Sequence, residues 1–226
     1  MKNTILLTGN KGLIGKSLED YLIKKDFKVK GFDIESNLTL ENNVKKIMQS
    51  NDESEYLINA FALNDHINKE SRNYDPLNFP LTEFRDFLEI NNTTLFSVCR
   101  EFIKTRNKGS IINFSSIYGF ITPDPKIYDK KSPKHIGYPT SKSAVISISN
   151  YLAIHYAPNF RVNTLAIGGI LNNQPNSFKD KYASKVPLNR MMNLEELFPA
   201  ISFLLDPKNT YMTGSTLLID GGYSII

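Results

Sequence analysis

"ILLTGNKGLIG", residues 5–15, is the stretch on which the fold turns. A short apolar run ends in three glycines spaced three apart, Gly9, Gly12 and Gly15, and a helix-like segment follows from Lys16 to Lys25. In a strand, turn and helix, the first glycine permits the tight turn and the second lets the backbone approach a pyrophosphate. The third allows helix and strand to pack closely. The helix N-terminus then aims free amides and a partial positive charge at the phosphates. Spacing alone leaves an ordinary glycine-rich turn equally open. If the turn is a cradle, its candidate contacts are Thr8, Gly9, Lys11, Gly12, Leu13, Ile14 and Gly15.

Outward from this stretch, strand-like runs recur at residues 28–32, 56–60, 110–114, 161–166 and 215–219. Between them Leu18, Tyr21 and Leu22 repeat at helical spacing, as do Leu95, Cys99 and Phe102, and Val145, Ile148 and Leu152. Such stripes face a core. Strands alternating with helices predict an α/β protein with a Rossmann-like, doubly wound parallel sheet, in a single domain over residues 1–226. The second strand ends in Asp33, about 20 residues past the glycines. An acid there bonds the ribose hydroxyls and repels a 2′-phosphate, which favours NAD over NADP. Lys11, inside the turn, could instead attract a 2′-phosphate or stand solvated.

Composition bounds the partners. The chain has 226 residues, 41% of them hydrophobic, enough for one well-cored domain. No apolar run approaches the roughly 18 residues of a membrane span, and the run at residues 4–7 is too short for a secretory signal, so a cytoplasmic protein is expected. The formal charge is only +4, with Lys and Arg dispersed, which argues against nucleic acid and leaves an anionic small substrate open. A single cysteine, Cys99, excludes an internal disulfide and a cysteine zinc site, and His66, His135 and His155 lack ligand spacing. No metal is expected. Residues 64–80 and 122–137 are polar, proline-bearing and aperiodic, and read as loops.

The most informative segment is "YPTSK", residues 138–142. Tyr138 and Lys142 stand at i and i+4, so a helix puts both on one face. A phenol, with a pKa of about 10, is a poor base near neutrality, and a neighbouring cation favours its ionised form. Upstream, "INFSSIYG" places Ser115 and Ser116 just past a strand, at the carboxyl end of the sheet where such folds bind ligands.

In this order the segments "TGNKGLIG", "LINAFA", "EINNTTLF", "INFSSIYG", "YPTSKSA", "RVNTLAIGGI" and "MTGSTLLIDGG" resemble the short-chain dehydrogenase/reductase family over nearly the whole chain. The resemblance implies hydride transfer between NAD(P) and a secondary alcohol or its ketone. Tyr138 would be the general acid/base and Lys142 its partner and ribose ligand. Ser116 would orient the substrate oxygen, and Asn91 would support a proton-relay water. It further implies cofactor contacts at Asn59, Ala60 and Phe61, at Gly168, and through the Ile170 backbone. Asn37 would replace the usual adenine-contacting aspartate. The helices spanning residues 88–102 and 141–157 are the family's subunit-packing helices, implying a homodimer or homotetramer.

Departures carry information too. The glycine spacing and the long Ser116-to-Tyr138 gap resemble the family's extended branch, which acts mainly on nucleotide sugars. "RVNTLAIGG" and "TGSTLLIDGG" resemble its single-domain branch. "NAFA" stands for the usual Asn-Asn-Ala-Gly, Ile167 replaces a proline before Gly168, and Asn172 takes a position often held by threonine. Only residues 34–37 separate Asp33 from "LTLENNVKKI", so the region after the second strand reads as shortened, with the helix joining strands two and three deleted. The insert between Ser116 and Tyr138 passes over the site with Lys126, Lys130, Lys131, Lys134 and His135, as a solvated loop or as a clamp for a sugar-derived or phosphorylated polar substrate. A nucleotide-sugar epimerase or dehydratase with retained NAD, and a non-catalytic dinucleotide sensor, are the alternatives.

Overall fold

A computed structural model of the chain describes residues 3–64, 75–128 and 133–226. His66, Lys130 and Lys131, and most of the loop expected at residues 64–80, lie outside them. Six strands form one parallel sheet: β1 (Thr4–Thr8), β2 (Lys28–Phe32), β3 (Tyr56–Asn59), β4 (Gly109–Ser116), β5 (Phe160–Ile167) and β6 (Thr216–Ile219), in the order β2-β1-β3-β4-β5-β6. All fall where the apolar runs predict, with ends displaced by a residue or two.

Period-2 alternation decides the two faces. Ile5, Leu7, Ile58 and Leu165 point to one side, where they meet Leu18 and Leu22 of α1 (Leu13–Lys24) and Ile201 and Leu204 of α7 (Phe198–Leu205). Leu6, Leu57, Ile111 and Val162 point to the other. There they meet α2 (Glu41–Gln49) through Val44 and Met48, α4 (Leu95–Lys104) through Val98 and Phe102, and α5 (Gly137–Tyr156) through Val145 and Leu152. Both faces are helix-covered, so β1, β3, β4 and β5 carry apolar side chains to both sides, as a buried parallel sheet favours, with a few polar residues among them. Helix α3 (Leu81–Leu88) runs into α4 through a π-helical segment, Glu89–Thr94. Helix α6 (Asn176–Ala183) lies beyond β5. No helix among the described residues is long and apolar enough to cross a membrane.

One expectation is corrected. The crossover from β2 to β3 does carry a helix, α2, formed by "ENNVKKI" itself. The short connection is the stretch before it, a 3-10 turn at Ile34–Ser36 that ends on Asn37 in the left-handed region. Val44 and Met48 are fully buried on α2, and that burial pins the helix against the sheet.

The chain runs from β1 to β2 on one side and returns to β3 on the other. A switch point therefore opens at the carboxyl ends of β1 and β3, where open α/β sheets bind their ligands. The Ala60 amide donates to Thr8 O at 3.0 Å and the Gly9 amide to Phe32 O at 2.7 Å, fixing the three strand ends as one rim.

Candidate active site

A cleft of about 700 Å³ runs along this rim, from the glycine loop to α5 and α6. At its dinucleotide end Gly9 sits at φ +77°, and a Cβ there would lie 2.5 Å from the Phe61 amide nitrogen. Gly15 is inside the first turn, because α1 starts at Leu13 rather than Lys16. A Cβ on Gly15 would lie 2.0 Å from Gly9 O. Gly12 meets nothing nearer than 3.4 Å and lines the cleft, as a residue over which a pyrophosphate passes must. The loop and helix start thus fit a dinucleotide phosphate on the chain's own geometry.

Asp33 stands at the mouth of the same end. Its Oδ2 accepts from the Lys11 amide and its Oδ1 from the Ile34 amide, both at 2.7 Å, which fixes the carboxylate at the end of β2. The Lys11 ammonium pairs with Glu35 at 2.5 Å. That pair is exposed and contributes little to stability, yet it occupies the cation that could otherwise meet a 2′-phosphate.

The catalytic end is carried by β4 and α5. Lys142 is buried, and its Nζ donates to Phe114 O at 3.0 Å and lies 5.7 Å from the Tyr138 ring centre. Burial first, then the like charge of Lys134, pushes its pKa down to about 8. Lys134 Nζ lies over the Tyr138 ring, 4.0 Å from its centre, and donates to Asn64 Oδ1 at 2.6 Å. Tyr118 and Phe87 meet the same ring edge-on, each at 6.5 Å. The two serines separate: Ser115 Oγ donates to Lys142 O at 2.8 Å, tying β4 to α5, whereas Ser116 Oγ accepts from the Tyr118 amide at 3.2 Å.

Other sequence candidates divide cleanly. Leu13, Ile14, Ala60, Phe61, Gly168 and Ile170 line the cleft. Thr8, Asn37 and Asn59 do not. Thr8 Oγ1 donates to Asn59 Oδ1 at 2.8 Å, Asn59 Nδ2 to Asn113 Oδ1 at 2.8 Å, and Asn113 Nδ2 to Ser149 Oγ at 2.9 Å. The Thr8 and Asn59 side chains are therefore links in a buried polar chain across the sheet. The Asn37 carboxamide accepts from Thr39 at 2.7 Å. Asn91 lies behind the cleft wall: its amide brackets the Leu63 backbone and donates to Ser141 Oγ at 2.9 Å, while Asn92 reaches Ser141 O. Of the cationic insert residues that are described, only Lys134 lines the cleft. His135 is buried between Phe79 and Phe87, 3.8 Å from Glu83, and accepts the Gly137 amide.

Sequence reasoning set Tyr118 and Tyr128 near the insert but missed the rest of the far wall. Ile117, Tyr118, Tyr128, Phe178, Tyr182 and Tyr223 form a third buried cluster over the end of the sheet. Tyr128 Oη donates to Tyr118 Oη at 2.7 Å, and burial raises the Tyr118 phenol well above its ordinary pKa. Lys185 pairs with Asp124 across the same seam. No periodicity announces this cluster, since its members come from three separate segments.

A family model described as enoyl-(acyl carrier protein) reductase matches residues 5–224. Post-translational flagellin modification protein A of Campylobacter coli is 35% identical over 127 residues, 55% of this chain and 50% of that protein. Glucose 1-dehydrogenase of Gluconobacter oxydans is 34% identical over 157 residues, 64% of this chain and 55% of that protein. In both, the match spans about half of the relative's length. The crystal structure of a short chain dehydrogenase from Leptospira borgpetersenii, with bound NAD+, superposes with a TM-score of 0.88 at 27% identity, covering 99% of this chain and 93% of that one.

Proposed function

The chain belongs to the short-chain dehydrogenase/reductase family, and from that premise we propose that it is an NAD-linked dehydrogenase of a polar, sugar-derived secondary alcohol, working in one domain that holds both cofactor and catalytic groups. The observation that carries this reading is one continuous cleft with Gly9, Gly12 and Asp33 at one end and Ser116, Tyr138 and Lys142 at the other. Asp33, held by two backbone amides, supports NAD, and the Glu35 partner of Lys11 supports it further.

A bound nicotinamide dinucleotide supplies hydride exchange there. Tyr138 takes the proton of the substrate hydroxyl in the oxidative direction and returns it in the reductive one. Lys142 stabilises the developing phenolate and would hold the cofactor ribose, its ammonium steadied by Phe114 O. Ser116 orients the reacting oxygen. Asn91 holds Ser141, three residues past Tyr138, and so fixes the start of α5. The substrate side is lined by Tyr118, Tyr128 and Tyr182 together with the amides of Asn64, Asn172 and Gln174. Aromatic faces beside amides suit a ring with several hydroxyls, and the likeness to a glucose 1-dehydrogenase points the same way. The half-exposed or exposed Phe96, Tyr151, Ile154 and Tyr156 on α4 and α5 support a homodimer or homotetramer.

The test is a spectrophotometric panel of sugars, polyols and sugar phosphates with NAD and with NADP. The reading expects net NADH formation with a hydroxylated substrate and a preference for NAD. Tightly retained NAD without net turnover replaces it with an epimerase, and dinucleotide binding with no chemistry replaces it with a sensor.

A further inference from the structure

Where β5 ends, the chain leaves the sheet through Ile167, Gly168, Gly169 and Ile170. A proline before Gly168 would fix its own φ near −65°, and Ile167 does not. The path must be held by contacts instead. The Gly168 amide donates to Ile219 O at 2.8 Å, and Gly169 O accepts from the Met192 amide at 3.0 Å. Those bonds run between backbones and are open to almost any sequence. Two side chains add to them: Gln174 Nε2 donates to Ile170 O at 2.8 Å, and the Gly169 amide donates to the hydroxyl of Tyr182 on α6.

Tyr182 is built for that contact. It is 3% exposed, and its ring stacks on Tyr223 with centres 4.9 Å apart. A Cβ on Gly169 would lie 2.8 Å from the ring carbon that bears the hydroxyl, and one on Gly168 would lie 3.1 Å from the hydroxyl oxygen. The two glycines therefore admit the phenol as closely as backbone can. Gly168, Gly169, Ile170 and Tyr182 all line the cleft. We propose that Tyr182 is a positioning residue for the nicotinamide end of the cofactor, its hydroxyl holding Gly169 so that the Ile170 backbone stands where the carboxamide is read. This rests on the reading above that Gly168 and Ile170 border the nicotinamide.

Tyr182→Phe removes one hydroxyl and keeps the ring on Tyr223. Binding of the reduced dinucleotide, NADH or NADPH as the wild type prefers, is followed by its fluorescence. Binding of ADP-ribose, or its 2′-phosphate, is followed by calorimetry. ADP-ribose lacks only the nicotinamide, so it engages the Gly9 to Asp33 end and the ribose position beside Lys142 without the carboxamide. Loss of one hydrogen bond predicts a roughly three- to tenfold weaker dinucleotide with ADP-ribose affinity unchanged. Equal weakening of both ligands marks Tyr182 as a packing residue and overturns the proposal, as does a variant with wild-type affinity for both. If the wild type binds ADP-ribose as tightly as the dinucleotide, the nicotinamide placement fails. If it binds neither, the cradle reading fails, and in both cases the proposal falls with it.

Discussion

The two ends of the cleft are built in opposite ways. The dinucleotide end is made of backbone at fixed spacing along β1, α1 and β2, where Gly15 touches Gly9 O and Asp33 accepts the Lys11 amide. The substrate end is made of side chains from segments far apart in the chain, where Tyr118 meets Tyr128, Tyr182 meets Gly169 and Lys134 meets Tyr138. A phosphate has one shape, so a glycine turn leading into a helix N-terminus suits it whatever the substrate. Substrates differ, so the opposing wall varies with its side chains.

The sharpest break between the ends is chemical. Tyr138→Phe is expected to lower kcat/KM by about 10²- to 10⁴-fold while the dissociation constant of NADH, measured by fluorescence, stays put. A variant that retains wild-type turnover would remove Tyr138 from the mechanism. Gly15→Ala attacks the other end. The added methyl has Gly9 O in its place, and overpacking of that kind costs about 1–3 kcal/mol. Calorimetry should find dinucleotide affinity down by more than about tenfold, with a lower melting temperature, and an unchanged affinity would contradict the close helix-to-loop packing.

The smallest effect tests the contact between the insert and α5. Lys142 titrates at about 8 instead of 10.5, lowered by burial first and by Lys134 second. Below about 8 the ammonium is present, so kcat/KM is expected to fall as pH rises through that value. Stability moves the opposite way. The unfolded chain binds the extra proton between about 8 and 10.5, so the cost of burying the charge is fully present below that window and is relieved as pH climbs through it. Lys134→Gln removes the like charge and is expected to move the alkaline limb of the kcat/KM profile upward by a few tenths of a pH unit, on the order of 0.5 kcal/mol. A limb that moves downward would reverse the sign assigned to Lys134.

The glycine loop, the end of β2 and the start of α5 were legible in the sequence. The glycines, Asp33 and the pair Tyr138 and Lys142 depend on local geometry: a turn that needs φ above zero, a strand end, a helix that sets i beside i+4. The strands were legible because a sheet covered on both faces favours short runs rich in apolar residues. The inward direction of the Thr8 and Asn59 side chains was not legible, because a motif position does not say which way a strand residue points. At this sheet's register they face the interior and satisfy one another. The helix α2 was read as lost because a short connection before it looked like a deletion.

The sequence by itself determined the fold class, the glycine loop between β1 and α1, and the shared face of Tyr138 and Lys142 on α5, since each is written in spacings of a few residues. Only the tertiary structure decided that Lys134, among the described cations of the insert, lies over Tyr138, that Ser115 ties β4 to α5 while Ser116 accepts the Tyr118 amide, and that Tyr182 accepts the Gly169 amide. Those facts rest on contacts between residues distant along the chain, which leave no period in the sequence and exist only once the sheet has brought its carboxyl ends together.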